Sequence, residues 1–459
     1  MLRASRRWWL AAFLLGIAST AGAVVLAVSL FKTPMQPMVR ATASPSPSAV
    51  PETPSPTAEP TAAPPPTLDL EWTETAAFGD ERAMDVLDAT EWAHGIVAVG
   101  ARYLGQIPAS GPLPPTATGV IWLSTDGKSW DDVTPPDVFD HVRLHEVYVG
   151  GDGSLIAVGE TWRQAQFWPR NGDPKTRFWR SDDGRSWREI GDLLPARRYV
   201  AEVAQGRLGY ALRGHVLKKG DDGRLYFWDT EVWFSRDGLD WDLARPPSVE
   251  EPYREYLVDI SAGEDGFVAI GRSDAGMSGG ALTIASAAGW QWVVAEAPPR
   301  AGVWRVAAHP SGWIVIASGP ESYGGIYREA LEEPQTTVWT SLAGIAWHQL
   351  STIDVMSRQW DGTTCDEGVA DLQGAGSWLV ASLRLYCGDQ QVEGFSSPRI
   401  SLDGVDWLPL PNAELSFDPI TLQREETGLL VQAAVASELG LVLVGQSNGQ
   451  ATFWLGAPR

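Results

Sequence analysis

The sequence predicts an all-β fold, a seven-bladed β-propeller of four-stranded blades, and three observations predict it. The first is a recurring core, Ser-x-Asp-Gly-x-x-Trp, met first at Ser124, Asp126, Gly127 and Trp130. It returns at Ser181, Asp183, Gly184 and Trp187, at Ser235, Asp237, Gly238 and Trp241, and at Ser401, Asp403, Gly404 and Trp407. Two further copies, Ser286 to Trp292 and Ser341 to Trp347, keep Ser, Gly and Trp but carry Ala288 and Ala343 in place of Asp. The second observation is the spacing of those Trp residues, 57, 54, 51, 55 and 60. One supersecondary unit repeated at such a period is the mark of a propeller or solenoid. The third is the grammar inside each repeat. Short apolar runs alternate with Gly or Asp-Gly turns, which signals hairpins and four antiparallel strands per unit.

Taken in order, the repeats run 82–133, 141–190, 199–244, 256–296, 303–350 and 367–410. A seventh begins at Leu429 and supplies a second strand at Val442-Leu443-Val444-Gly445 and a third at Thr452-Phe453-Trp454, but no fourth. The missing strand is predicted at the other end of the domain. Leu70-Glu71-Trp72-Thr73-Glu74 reads like the fourth strands elsewhere, with Trp72 in the place of Trp130. The N-terminal strand thus closes the last blade, and closure removes exposed sheet edges.

Before the propeller, assigned to 68–459, the chain divides into three segments. Residues 1–7 hold Arg3, Arg6 and Arg7, and residues 8–31 hold no charge. A helix of that length spans about 36 Å against a bilayer core of about 30 Å. The reading is a transmembrane anchor with its basic end cytoplasmic and the propeller extracellular on the cell membrane. The competing reading is a cleaved signal peptide, because Ala21-Gly22-Ala23 has a small-x-small form. Residues 32–67, rich in Pro, Ser, Thr and Ala, are expected to be a disordered linker reaching up to about 100 Å.

Beyond residue 67 the chain carries 30 basic and 55 acidic side chains. That balance excludes nucleic acid and anionic lipid as electrostatic partners, since both require a basic footprint. No Gly-rich phosphate loop and no nucleophile motif occurs. His141 and His145 flank a strand start and do not form a metal pair. No cofactor and no metal is expected, and the chain is expected to be monomeric.

The Ser-x-Asp-Gly-x-x-Trp units resemble the Asp-box (BNR) repeats of sialidase-like β-propellers, in a form one residue tighter between Asp and Gly. The resemblance implies that these residues lie in the turn between third and fourth strands, away from an active site, and are structural. The physics agrees. Ser and Asp oxygens can accept turn N–H groups while Gly takes a positive φ, and the Trp buries a large apolar face. The family's catalytic set is an arginine triad, a Tyr–Glu pair and an Asp acid, with an early Phe/Tyr-Arg-Ile-Pro motif and usually six blades. That motif is absent, and no Tyr–Glu pair is assignable from the sequence. No catalytic residue is therefore carried over.

A ligand site is expected on the face opposite those turns, where the long second-to-third-strand loops lie. Four second strands end in Arg102, Arg213, Arg272 and Arg384, and Tyr103, Trp162, Trp168 and Trp228 follow in or near the loops. Arg can hold a carboxylate or sulfate bidentately while aromatics stack on sugar rings. The plainer reading is that these Arg residues end strands and pair with nearby acids. Cys365 and Cys387 fall on the same face. An exported domain favours a disulfide there, closing about 22 residues and contributing roughly 3 kcal/mol. The function expected is a membrane-anchored extracellular binding module for a protein or glycan, without catalysis. Two alternatives are a divergent sialidase-like glycoside hydrolase acting on acidic sugars and an assembly factor for a membrane complex.

Overall fold

The computed structural model describes residues 70–75, 84–103, 117–161, 175–220, 225–244, 255–273, 281–286, 292–295, 303–318, 336–353, 357–360, 363–387, 390–391, 398–410, 429–447 and 450–458. The tail, anchor and linker assigned to 1–67 lie outside them. Among the described residues no helix is long and apolar enough to cross a membrane. Every named element is a strand, and the sheets belong to the unit Pro65–Arg459.

The strands form a β-propeller in which consecutive strands pair antiparallel. Six sheets have four strands. The expectation of seven four-stranded blades is corrected here, because the sheet built from 357–409 has six strands. Its reason is local. Thr363–Ala375 is thirteen residues long, and its first four residues pair with an added strand, Ser357–Trp360. At the same end of the sheet the short Gln390–Gln391 pairs with the end of Trp378–Cys387. Register places Cys365 directly opposite Cys387 on the two long strands.

The first strands stand side by side about a common axis. Met84–Trp92 packs on Val142–Val149, then Arg198–Gly206, Glu255–Ala262, Val303–His309, Thr363–Ala375 and Leu429–Ser437, which returns to Met84–Trp92. The last sheet is completed from the chain's other end, with Leu70–Thr75 paired to Gln450–Pro458, Leu70 opposite Pro458. Apolar cores fill the gaps between neighbouring sheets. Between the last sheet and the first lie Trp122, Trp130, Val442 and Phe453, with Trp130 stacked on Phe453 at 4.1 Å. This is the alternation of a two-faced buried sheet, in which both faces of each blade meet a neighbour.

The third-to-fourth-strand turns show why Ser, Asp and Gly recur. Asp126 Oδ1 accepts the N–H groups of Lys128 and Ser129 at 2.8 and 2.7 Å, and Ser124 Oγ donates to it at 3.2 Å. Asp183, Asp237 and Asp403 repeat the pattern. These donors hold Asp126 below the usual carboxylate range and bring Asp183 down to about 2. Gly127, Gly184, Gly238 and Gly404 have φ of 66°, 69°, 78° and 74°, a region that disfavours any side chain. They also touch the preceding blade: a Cβ on Gly184 would lie 3.2 Å from Leu123. The turn is both a local cap and an inter-blade contact.

Six of the first strands carry a β-bulge. It falls between Val86 and Asp88, Leu144 and Glu146, Val200 and Glu202, Leu257 and Asp259, Val369 and Asp371, and Val431 and Ala433. Val303–His309 pairs without one. A bulge re-aims the residues beside it and adds local twist. Here it decides what the axis presents.

Candidate functional site on the propeller axis

After each bulge comes the residue that faces the neighbouring first strand. Asp88 Oδ2 accepts the N–H of Val147 at 2.7 Å, and Glu146 Oε2 that of Val203 at 3.3 Å. Glu202 Oε2 accepts from Ile260 at 3.3 Å, and Asp259 Oδ2 from Val306 at 2.7 Å. One blade's carboxylate thus satisfies a backbone donor of the next. Asp371 continues the ring, with Gln373 Nε2 donating to it at 2.6 Å. The equivalent place in the unbulged strand belongs to Arg305, opposite Ile316 as Asp88 lies opposite Val99. Arg305 Nε lies 3.6 Å from Asp371 Oδ1. In the last sheet the place is taken by Ala433.

Nearer the loop face stands a second tier. Tyr103 Oη donates to Asp85 Oδ2 at 2.7 Å, and Gln446 of the last sheet donates to the other Asp85 oxygen. Arg143 Nε donates to Tyr103 Oη at 3.3 Å, and Arg143 Nη1 lies 3.5 Å from Glu160 Oε1. Next in the tier, Tyr199 stacks between His145 and His215, with ring centroids at 5.8 and 6.2 Å. His145 Nε2 lies 3.0 Å from the Val200 carbonyl. Water reaches both tiers: the Arg143 side chain is 22% exposed, and that of Glu202 in the ring of acids is 28% exposed.

Burial dominates the electrostatics. It pushes Asp88 up to about 7, and like charge from Glu202 and Asp371 works in the same direction. Glu146 and Asp259 are held well above the carboxylate range by burial, then by Asp88 and Glu202 respectively. Glu202 is raised as well, with Arg213 opposing. Asp85 is raised by burial against the opposing Tyr103 bond, and burial and then Asp85 raise the Tyr103 phenol. His145 and His215 are lowered to about 4 by burial and then by Arg143 and Arg213 respectively, so both rings are neutral at pH 7. Among the described residues no group of acids and histidines is arranged to hold a metal.

These shifts give a signed pH dependence. A carboxyl raised in the folded state contributes stability that is complete below about pH 4 and lost as pH rises through its folded pKa. A histidine lowered to about 4 contributes stability that is lost as pH falls from about 6.5 to 4. The two oppose each other between pH 4 and 6.5. Above pH 7 the histidines are neutral in both states, and only the acids act. Stability is expected to fall as pH rises above 7, because Glu146 and Asp259 hold their protons in the folded chain and are ionised in the unfolded one. Urea midpoints at pH 7, 8 and 9 check this. Glu146→Gln with Asp259→Asn is expected to flatten the decline, and an unchanged slope in that variant would refute the assignment.

The residues singled out in the sequence divide as follows. Arg102 turns outward along its sheet, with Nη2 2.7 Å from Asp132 Oδ2 on the fourth strand. Arg213 joins the axial ring, bonded to Glu202 at 3.2 Å and to the Leu257 carbonyl at 3.4 Å. Arg272 lies opposite Tyr256 and Arg384 opposite Gly368 by register. The side chains of Arg272, Arg384, Cys365 and Cys387 are outside the described residues, as are Trp162 and Trp168 altogether. Sequence reasoning missed Asp85, Tyr103 as Asp85's partner, Arg143, Arg305 and the ring of acids. One signal was available: Asp88, Glu146, Glu202, Asp259 and Asp371 recur at about the period of the turns.

Fold and site together define an all-β propeller of four-stranded blades with charged side chains gathered at the axis. No family model matches the chain, and no curated protein matches it. Solved structures do. An ulvan lyase of polysaccharide lyase family 25, bound to a glucuronate–sulfated rhamnose unit, is 9% identical with a TM-score of 0.44, covering 84% of this chain and 96% of its own. Trypanosoma rangeli sialidase in complex with sialic acid is 12% identical with a TM-score of 0.42, over 72% of this chain. This chain spans 59% of that sialidase's length. The β-propeller domain of the Trilobed protease from Pyrococcus furiosus is 10% identical with a TM-score of 0.43, covering 81% and 93%. No residue role is transferred at these identities.

Proposed function

We propose that this chain acts on carbohydrate, binding an acidic sugar at the axis on the loop face and cleaving its glycosidic bond. One observation carries the reading: Tyr103 Oη is bonded both to a buried carboxylate with a raised pKa, Asp85, and to a guanidinium, Arg143. A phenol so placed can be a nucleophile, with Asp85 as the base that removes its proton and Arg143 stabilising the developing phenolate against the raise that burial gives it. Asp85 takes the phenol proton as Tyr103 Oη attacks the anomeric carbon; the alcohol oxygen, departing from the opposite face, takes a proton from solvent water, and Asp85 gives its own back to the hydroxide so formed. Water then displaces Tyr103 from the sugar, and its spare proton restores the phenol. Arg143, Arg213 and Arg305 come from three different sheets and supply cations for the acidic group of the sugar. The reading favours the glycoside-hydrolase alternative over a binding module without chemistry.

The same proposal keeps residues 8–31 as a membrane anchor with an extracellular propeller, and Cys365–Cys387 as a cross-strand disulfide. Directly opposed residues on antiparallel strands have Cα atoms about 4.5–5.5 Å apart, inside the range a disulfide spans. The test of function is the full chain incubated with acidic and neutral oligosaccharides, with both binding and sugar release monitored. Release confined to acidic sugars is expected. Binding without release would return the chain to the module reading, and neither would overturn the proposal.

A further inference from the structure

The turn face, opposite the axial site's mouth, is divided in its chemistry. The positions that flank Asp-Gly in each turn are Thr125 and Lys128 in the first repeat, Asp182 and Arg185 in the second, and Arg236 and Leu239 in the third. In the next three repeats the pairs are Ala287 and Trp290, Leu342 and Ile345, and Leu402 and Val405. In the first three repeats five of these six places are polar or charged, Leu239 being the exception, and in the next three all six are apolar. The structure shows what this costs in solvent exposure. Leu342 is 84% exposed, Ile345 48% and Val405 44%, and on the last two sheets Leu408 is 48% and Leu439 39%. The segment Ser341 to Ala346 carries no charge, having exchanged the turn Asp for Ala343. Leucine left almost wholly in water on a repeat whose equivalents are Thr, Asp and Arg marks an interaction surface.

The chain also enters the propeller on this face. Leu70 pairs with Pro458, the last described residue of its strand, and Leu441 of the adjoining hairpin pairs with Gly456. The first rung is therefore at the end where the first-to-second-strand hairpins and the Ser-x-Asp-Gly turns lie. The described chain of the propeller thus begins on this face, at Leu70. We infer that the apolar half of the turn face lies against the outer surface of a lipid bilayer, leaving the axial site's mouth turned away from it. The inference rests on the anchor proposal for residues 8–31. Leu342, Ile345 and Val405 give the side chains that enter the headgroup–acyl boundary. None of these places is basic, so attachment rests on apolar insertion and not on anionic headgroups. That fits a domain whose acid excess would be repelled by an anionic leaflet.

The test uses the full chain reconstituted in phosphatidylcholine vesicles doped with a phosphatidylcholine that bears a photoactivatable diazirine near the top of one acyl chain. Labelled peptides are then mapped by mass spectrometry. Label is expected in 8–31 and also in the peptides spanning Leu342, Ile345 and Val405. In the double variant Leu342→Asp, Ile345→Asp, labelling there is expected to fall at least ten-fold while 8–31 is labelled as before. The exposure of both side chains should leave the thermal midpoint of that variant within a few degrees of the wild type. Label in 8–31 alone would overturn the inference and leave the anchor standing. Label in neither would overturn both. Absence of turn label together with dimers that the double variant abolishes would assign the surface to a second copy of the chain, again overturning it.

Discussion

A chain that starts at residue 76 is expected to lose the closed ring and, with it, most of its resistance to unfolding and aggregation. Leu70–Thr75 makes six register pairs with Phe453–Pro458 and is the fourth strand of the last sheet. Leu70 is buried, and both it and Trp72 pack close on Gly456, where an added Cβ would lie 2.9 Å from each. Losing one buried Leu and one half-buried Trp removes about 5 kcal/mol, on the scale of large-to-small core changes. Propeller domains have a stability of only about 5–15 kcal/mol to draw on. The deletion also leaves Thr452-Phe453-Trp454-Leu455 as an open sheet edge, and such an edge templates pairing with another chain. Chains beginning at 65 and at 76 would be compared by thermal unfolding and size-exclusion chromatography. A lower midpoint by ten degrees or more, with high-mass species, is expected. Equal midpoints and a monomeric elution profile would contradict the closure account.

Much of this architecture was legible because it is written in local chemistry. Asp126 and Gly127 make a turn by themselves, since the carboxylate bonds N–H groups two and three residues ahead and the glycine supplies the φ. Trp72 was recognisable at the wrong end of the domain because its neighbours repeat the pattern around Trp130. The added strand Ser357–Trp360 was not legible, because its four residues show no alternation and pair only with an overlong neighbour. The axial site was hidden for a different reason. Asp85 and Tyr103 are diagonal neighbours on adjoining strands: Asp85 lies opposite Ala101, and Tyr103 is two residues on. Such contacts depend on register, and in six of the first strands a bulge shifts the register by one residue just after the contact. Acids on a strand otherwise read as solvent-facing. Only the structure shows that Asp88, Glu146, Glu202 and Asp259 each accept an N–H from the next blade.

Arg102 shows the ion pairing that was the plainer of its two readings. A strand-end Arg has four rotatable bonds, and the nearest acid, Asp132 on its own sheet, captured it. Of the cations at the axis, Arg213 was among the second-strand ends singled out in the sequence, whereas Arg143 and Arg305 lie on first strands, where nothing in the residue pattern sets them apart from other charged residues.

The second large effect belongs to Tyr103. Phe at this position keeps the ring in a place that is 0% exposed and removes only the oxygen shared by Asp85 and Arg143. If that oxygen is the nucleophile, the loss falls on turnover and not on binding, with kcat down about 100- to 10,000-fold and KM little changed. A merely structural hydroxyl would cost about 1–3 kcal/mol of stability and leave turnover per folded molecule intact. Release of acidic sugar by the full chain and by its Tyr103→Phe variant, measured side by side at matched folded concentration, is the most direct test of the axial site. Release by the wild type and a variant that binds the same sugar without releasing it is the predicted result. Equal release by both would contradict it.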